Sequence, residues 1–314
     1  MESLKNNLHL LEKLKNIVKN KSSDYFTHEI INNNDYTDNT ISIVMTSHER
    51  SSQVYYTLKT ISKSNIKDIQ VILVDDSSND IVDINVLKTF TFNIDFIRIN
   101  RVNKFWSNPC VNYNIGFEYI KGQKVVIQNS EVCHIGDVLN YINKNVIDNN
   151  HYVFDVRTSL SFETNEHIYK NETTIEELRC WNSMWYQHHI FRNVCYHFLV
   201  ALTKDTFDSI KGFSYDYSFG SCYDDDDLIF KIKSLDIKIV NVINEIENVA
   251  GIHLFHGYER NITDKRAYQW NTNFNKDILD KKSKYMNINK KYIEVSDGKD
   301  INEIFKCYTD LNKY

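Results

Sequence analysis

The sequence predicts an α/β fold with a mostly parallel sheet, an N-terminal helix and a helical C-terminal extension. Three observations predict it. Short apolar runs, ISIVMT at 41–46, IQVILVDDSS at 69–78 and FIRIN at 96–100, alternate with amphipathic stretches, and strands alternating with helices imply parallel βαβ units. The polar residues Thr46, His48, Arg50, Asp75 and Asp76 fall at the carboxyl ends of the first two runs, where open α/β sheets bind ligands. Four consecutive aspartates at 224–227 open a run whose apolar stripe is Leu228, Ile229 and Ile232. Each polar residue taken singly reads as a loop acid or a helix cap; together they mark one end of the sheet.

Composition narrows the classes. The chain has 314 residues, 42% hydrophobic and 25% charged, a globular balance with enough length for a core that needs no staple. A formal charge of −5 and a pI near 6.1 argue against a general nucleic-acid binder. The six cysteines, at 110, 133, 180, 195, 222 and 307, form no C-x-x-C pair, which argues against a zinc ribbon or a dense disulfide framework. No apolar run reaches transmembrane length, and the charged N-terminus is unlike a secretory signal, so a cytoplasmic location is expected. There are 8 glycines and 1 proline, well below the usual glycine share of about 7%; the glycines that remain are expected where the backbone needs their freedom.

In chain order, residues 2–19 carry a helical stripe of Leu4, Leu8, Leu11 and Val18, and 20–40 read as a polar linker or irregular arm. A strand at 41–46 is followed by a helix over about 53–63, a strand from 69 ending in two aspartates, and further alternation. A helix over 136–147 precedes the strand HYVFDV. Residues 158–195 show no clear period, and their WNSMWYQHHIFRN segment reads equally as a structural insert or as a sugar-binding wall offering Trp185 and His188. A strand, a cap at Thr203 or Asp205 and a short helix occupy 196–213. Next comes GFSYDYSFGSCYDDDDLIFKI, 212–232, in which Asp224 is expected to cap the helix. Successive helical residues point about 100° apart, so the four aspartates cannot share one direction and at least one faces inward. In NVAGIHLFHGYER, strand alternation puts His253 and His256 on opposite faces unless Gly257 bends the chain. Residues 258–314 read as two helical pieces. The expected organisation is an N-terminal helix and linker over 1–40, a main domain over 41–257 and an extension over 258–314.

Gly-Phe, an aromatic insert, Gly220, the acidic run and Leu228 together resemble the acceptor-side motif of GT-A glycosyltransferases, the family-2 enzymes and the galactosyltransferase-like module. The resemblance implies a Rossmann-like nucleotide half with an acceptor-binding half, and a sugar passed from a nucleotide donor, UDP-linked, to an acceptor hydroxyl with inversion. The second acidic residue of the motif is the base in inverting members, which implies Asp225; Asp224 stands where the family usually has Glu and, with Asp226, Trp185 and His188, is expected on the acceptor side. The strand with Ser/Thr-x-x-Arg and the Val-Asp-Asp-Ser-Ser run resemble the family's nucleotide-binding start, implying that Asp76 and Asp75 read the base and that Thr46, His48 and Arg50 line the donor. Asn114 and Gly116 match an Asn-x-Gly helix of the donor side, with Asn112 and Tyr113 in place of its Ala-Arg. Asn129-Ser130-Glu131 occupies the Asp-x-Asp place, implying Mn²⁺ or Mg²⁺ held by Glu131 and the Asn129 carbonyl; hard cations take oxygen ligands. A metal-binding histidine on the strand after the acidic helix is matched better by His253 than by His256. The departures leave three rivals: an inactive GT-A binding module, a metal-dependent hydrolase and a nucleotidyltransferase.

Overall fold

The computed structural model describes residues 2–257, 265–289 and 291–294, the side chains of 2–8, 265–271 and 288–289 aside. Helix α1 (Glu2–Lys19) leads to strand β1 (Phe26–Ile31), and then β2 (Ile41–Ser47), α2 (Ser51–Ser62), β3 (Ile69–Asp75), α3 (Ile84–Leu87) and β4 (Asn93–Ile99) build the first half. The chain continues through α4 (Cys110–Phe117), β5 (Lys124–Gln128), β6 (Val132–Ile135), α5 (Val138–Asn145), β7 (Asn150–Phe154) and β8 (Val156–Ser159). The second half holds α6 (Phe162–Lys170), α7 (Ile175–Leu178), β9 (Ser183–Gln187), β10 (Leu199–Thr203) and α8 (Lys204–Ile210). It closes with α9 (Asp224–Ser234), β11 (Lys238–Val242), α10 (Asn244–Glu247), β12 (Ala250–His253) and α11 (Lys265–Asn289). The remainder of the expected extension, including its second helical piece, lies outside the described residues.

The main sheet has eight strands in the order β1-β4-β3-β2-β5-β10-β7-β11. Its centre, β4-β3-β2-β5, is parallel throughout, and β7 and β11 form a further parallel pair. The buried centre explains the continuous apolar runs of 41–46 and 69–74, since a sheet covered on both faces offers no polar side. Period-2 alternation still sorts them: Ile41, Ile43, Met45, Val71 and Leu73 pack towards α2, α3 and α5, whereas Val44, Ile72 and Val74 pack towards α1 and α4. A second sheet, β6-β12-β8-β9, lies beside the first. Residues 150–159 serve both, because the chain leaves the main sheet after β7 and enters the small one as β8, with Asp155 between.

A sequence expectation is corrected. Residues 26–31 are not linker: β1 is the antiparallel edge of the main sheet, Phe26 and Ile31 are buried at its ends, and His28 meets the buried carboxylate of Asp95 at 2.7 Å. Residues 158–195, which show no clear period, supply α6, α7 and β9, and β9 is short and only partly buried.

Gly116 owes its place to packing. A Cβ there would come within 2.8 Å of Val44 Cγ1 and 3.1 Å of Val74 Cγ2, so α4 approaches β2 and β3 as closely as a bare backbone allows. We expect Gly116→Ala to destabilise the chain by about 1–3 kcal/mol through overpacking, read from the urea midpoint. An unchanged midpoint shows that α4 can move away at no cost.

Candidate active site

The carboxyl ends of β2, β3 and β5 open on a cleft of about 440 Å³, closed on its far side by the N-terminus of α9. A second cavity, of about 390 Å³, lies at the opposite end of α2 beside α6 and holds none of the residues singled out from the sequence.

On the donor wall stand Thr46, His48, Arg50, Asp76 and Asn129. The loops after β2 and β3 are clamped together: Asp76 N–H donates to Ser47 O at 2.7 Å, His48 Nδ1 lies 2.8 Å from Asp76 O, and the Glu49 carboxylate accepts the Asn79 and Asp80 N–H groups at 2.7 and 2.8 Å. Those two bonds bring Glu49 below the usual carboxylate range. Adjacent residues at a strand end face opposite ways, and this separates the two aspartates. Asp76 opens on the cleft and binds Lys104 Nζ at 2.6 and 2.8 Å. Asp75 turns into the loop, where it accepts Ser78 N–H at 3.0 Å, and burial pushes its carboxyl up.

Three further candidates fall outside the donor wall or behind it. Asn114 exchanges two 2.9 Å bonds with the backbone of Phe213, stapling α4 to the segment before the aspartates, and Gly116 is buried against β2. Asp75 is the third. Sequence reasoning missed Lys104, Tyr186 and His197, and it treated Asn112 and Tyr113 only as departures. All four of Asn112, Tyr113, Tyr186 and His197 line the cleft.

The expected metal trio does assemble. Glu131 Oε1 lies 3.3 Å from His253 Nε2, 3.7 Å from His256 Nε2 and 3.6 Å from Arg50 Nε, while Oε2 accepts Ser130 Oγ–H at 2.9 Å. The two histidines meet because the chain bends, the condition under which strand alternation would not part them. Strand β12 ends at His253, Leu254 N–H donates to Glu131 O at 2.9 Å, and Asn165 brackets Phe255 with bonds of 2.9 and 2.7 Å. The chain then turns at Gly257, whose φ of 91° only glycine adopts easily.

One tautomer of His253 would suit a cation: Thr158 Oγ1 lies 3.4 Å from His253 Nδ1, and a proton held there would leave the Nε2 lone pair free to ligate. Burial alone would raise the Glu131 carboxyl, but His253, Arg50 and His256 hold it well below the usual range. Burial and the Arg50 charge push His256 down to about 4. Ligands must be deprotonated to bind metal, and both groups are. The Asn129 main-chain carbonyl accepts Val132 N–H at 3.1 Å.

A second group, Asp155, His188, His189 and Glu245, also lies within ligand spacing. Its chemistry is different. His188 Nδ1 accepts the N–H groups of Ile190 and Phe191 at 3.0 and 3.2 Å, which forces the proton onto Nε2, the nitrogen facing the group. That nitrogen cannot ligate. Trp185 stacks under Arg157 at 4.8 Å and against His188 at 4.3 Å. The structure therefore does not bring Trp185 or His188 into the cleft; alternation along β9 turns Tyr186 there instead.

The aspartates occupy the first four positions of α9, each pointing its own way. Asp224 does not cap the helix. That place belongs to Tyr223, which with Cys222 adopts left-handed backbone, φ 66° and 64°, a costly conformation for non-glycine residues. Asp224 is buried against Asn108 Nδ2 at 3.1 Å, and burial with the neighbouring Asp225 charge pushes its carboxyl up. Asp225 faces the cleft and pairs with His197 Nδ1. Asp226 accepts the Tyr196 hydroxyl at 2.6 Å, outside the cleft. Asp227 is 1% exposed, bound to Lys282 Nζ at 2.8 Å and to the Tyr217 and Tyr292 hydroxyls at 3.0 and 2.5 Å. Lys282 also meets Asp216 at 3.0 Å.

A parallel sheet whose carboxyl ends gather acids and imidazoles opposite an acidic helix defines a nucleotide-handling α/β protein. The sequence pattern of glycosyl transferase family 2 matches residues 42–206, more than half of the chain, and the chain belongs to that family. The match takes in Thr46 to Glu131 and His197, and stops before Asp225, His253 and His256. No curated protein matches the sequence. Among solved structures, S. aureus TarS 1–349 is 11% identical with a TM-score of 0.48, over 68% of this chain and 60% of that one. The mannosyltransferase PcManGT from Pyrobaculum calidifontis, solved with GDP-Man and Mn²⁺, is 15% identical with a TM-score of 0.42, over 73% of this chain and 59% of that one. The chain thus spans less than two thirds of either length.

Removing the cation under α9 tests what holds the aspartates. Lys282→Met leaves Asp216 and Asp227 buried without their cation and should cost about 3–5 kcal/mol, the usual effect of breaking a buried pair. A loss under about 1 kcal/mol in guanidinium unfolding shows that water reaches the carboxylates.

Proposed function

We propose that the chain transfers a sugar from a nucleotide donor, UDP-linked, to an acceptor hydroxyl with inversion. The observation that carries the reading is that one cleft is lined at once by Asp76, by Glu131 and by Asp225. Asp76 meets the donor's base: Lys104 occupies part of its carboxylate, and the remaining lone pairs accept base N–H groups. Thr46, His48, Arg50 and Asn129 line the path to the diphosphate. Glu131, His253 and His256 would hold Mn²⁺ or Mg²⁺, and their mixed nitrogen and oxygen set favours Mn²⁺. A bound divalent ion supplies charge neutralisation for a departing diphosphate. On the opposite wall Asp225 takes the proton of the acceptor hydroxyl as its oxygen attacks the anomeric carbon, as a positioned carboxylate can. Asp224, buried behind it, shapes the acceptor floor. In domain terms, 41–257 carries the site, with 1–40 before it and 258–314 after it in the chain. No helix among the described residues is long and apolar enough to cross a membrane.

Asp225→Asn should lower turnover by roughly 10²–10⁴-fold, the usual worth of a general base, while donor affinity holds. Asp76→Ala should weaken donor binding. Transfer rates and donor titrations against a panel of nucleotide sugars check both. Pyrophosphate release would point to a nucleotidyltransferase, glycoside or phosphoester cleavage without a donor to a hydrolase, and donor binding with neither transfer nor hydrolysis to an inactive binding module.

For the cation, Mn²⁺ should raise the melting temperature of the wild-type chain bound to its nucleotide sugar, since ligands of the folded state stabilise it. Glu131→Ala combined with His253→Ala should erase that rise. A rise that survives in the double variant removes the trio from the metal site.

A further inference from the structure

Asp225 and His197 lie 28 positions apart, on different elements, and meet side chain to side chain at the cleft wall. Asp225 Oδ1 is buried against the ring, yet the side chain keeps 25% of its exposure. Oδ2 is therefore the oxygen turned to the cleft. The His197 side chain is 9% exposed and cannot swing freely. The Tyr113 ring meets it edge-on at 4.8 Å and 82°, and the Phe213 ring at 4.9 Å and 71°. Tyr113 is itself fixed, its hydroxyl donating to Gln128 O at 2.9 Å.

The charged and titratable groups around the ring are few. Asp224 and Asp225 face it from α9, Tyr113 from α4 and His151 from β7; Phe213 is apolar. Among the described residues no lysine or arginine pairs with Asp225. Burial works against a charged His197, but the Asp225 carboxylate, with Asp224 behind it, outweighs burial and raises the ring above its ordinary value.

We infer that His197 is a positioning residue for the base: its Nδ1–H holds Asp225 Oδ1 and thereby aims Oδ2 at the acceptor hydroxyl. The inference rests on the transfer reading above. In the step it serves, the acceptor O–H gives its proton to Asp225 Oδ2, the acceptor oxygen bonds to the anomeric carbon, and the bond from that carbon to the nucleoside diphosphate breaks. His197 keeps its own proton throughout. A base needs such support because a small misplacement of a reacting group can cost as much as 10²-fold, and α9 alone leaves the carboxylate free to rotate.

Two variants separate aim from packing. His197→Ala removes the donor, and His197→Asn keeps an N–H near the place of Nδ1. We expect His197→Ala to lower kcat by about 10- to 100-fold with the donor KM unchanged, and His197→Asn to recover most of that loss. Equal losses in both variants, or a donor KM that rises in step with the fall in kcat, overturn the inference in favour of a packing role. Full turnover in His197→Ala overturns it outright. If His197→Ala abolishes turnover while Asp225→Asn retains it, the ring is the base and the roles are reversed.

A readout without substrate keeps the pair apart from the transfer reading. Followed by NMR in the full chain, the His197 ring should titrate at lower pH in Asp225→Asn, because the adjacent opposite charge that raises it is gone. No shift shows that the two groups do not pair in solution. A ring that shifts in a chain that transfers no sugar from any nucleotide donor leaves the pair standing, but sinks the transfer reading and the positioning role with it.

Discussion

The α9 wall of the cleft depends on a lysine in a segment beyond the family match. Lys282, on α11, is 3% exposed and sits between Asp216 and Asp227, themselves 0% and 1% exposed. Burial opposes its charge, but the two carboxylates raise it well above the ordinary lysine value. An ammonium and two carboxylates out of water make a costly arrangement unless every donor and acceptor is used. Here Ser214 Oγ and the Tyr292 hydroxyl lie within 3.3 Å of the ammonium, and Tyr217 and Tyr292 reach Asp227. One cation thus joins three parts of the fold, namely the 3₁₀ turn Tyr215–Tyr217, the first turn of α9 and the C-terminal helix. A second tie, Lys231 to Glu294 and to Gly212 O, repeats the arrangement one turn along α9. With Asp227 held, the positions of Asp224 and Asp225 are set by helical geometry.

The same geometry explains why a run of four acids is not redundant. At about 100° per residue the four carboxylates sweep round the end of the helix and find four environments: an amide, an imidazole, a phenol and an ammonium. The chain reaches this end through two consecutive left-handed residues, Cys222 and Tyr223. The first turn of α9 offsets that strain, since its carboxylates lie at the positive end of the helix dipole. A glycine at 222 or 223 would relax the turn but loosen the direction in which the helix starts.

Much of the sheet was legible because its signals are local. The apolar runs of β2 and β3, the Thr203 cap of α8 and the stripe of α9 each arise from neighbours within one element. The place of Asp76 and Glu131 on the cleft was legible for the same reason, since strand ends place residues predictably. The features that escaped were set by contacts between distant parts. β1 looks like linker because only Phe26 and Ile31 of its six residues are buried. The meeting of His253 with His256 depends on Asn165, 90 positions before its partner Phe255, and on the glycine turn. Lys282 is one lysine in a lysine-rich helix, and only the fold shows that it is the one turned inward. Asn114, read from its motif as a donor contact, bonds to a backbone that sequence cannot place beside it.

One electrostatic pattern runs round the cleft. Each carboxylate that opens on it is met by a basic side chain: Asp76 by Lys104, Glu131 by Arg50 with two imidazoles behind, Asp225 by His197. Asp224, which faces a neutral amide and a like charge, is the one acid of the wall whose carboxyl is pushed up. The contrast is physical rather than compositional, since Asp224 and Asp225 are adjacent in sequence and share a helix. A cleft built this way carries little net charge despite its acids. It can therefore admit a polyanionic donor that an unpaired ring of carboxylates would repel. The imidazole pairs add something the lysine pair does not, because a histidine can exchange its partner for a metal or a substrate without leaving an ammonium stranded. Glu131 and Asp225 are the two acids of the cleft met by imidazoles, and Asp76 is the one met by a lysine.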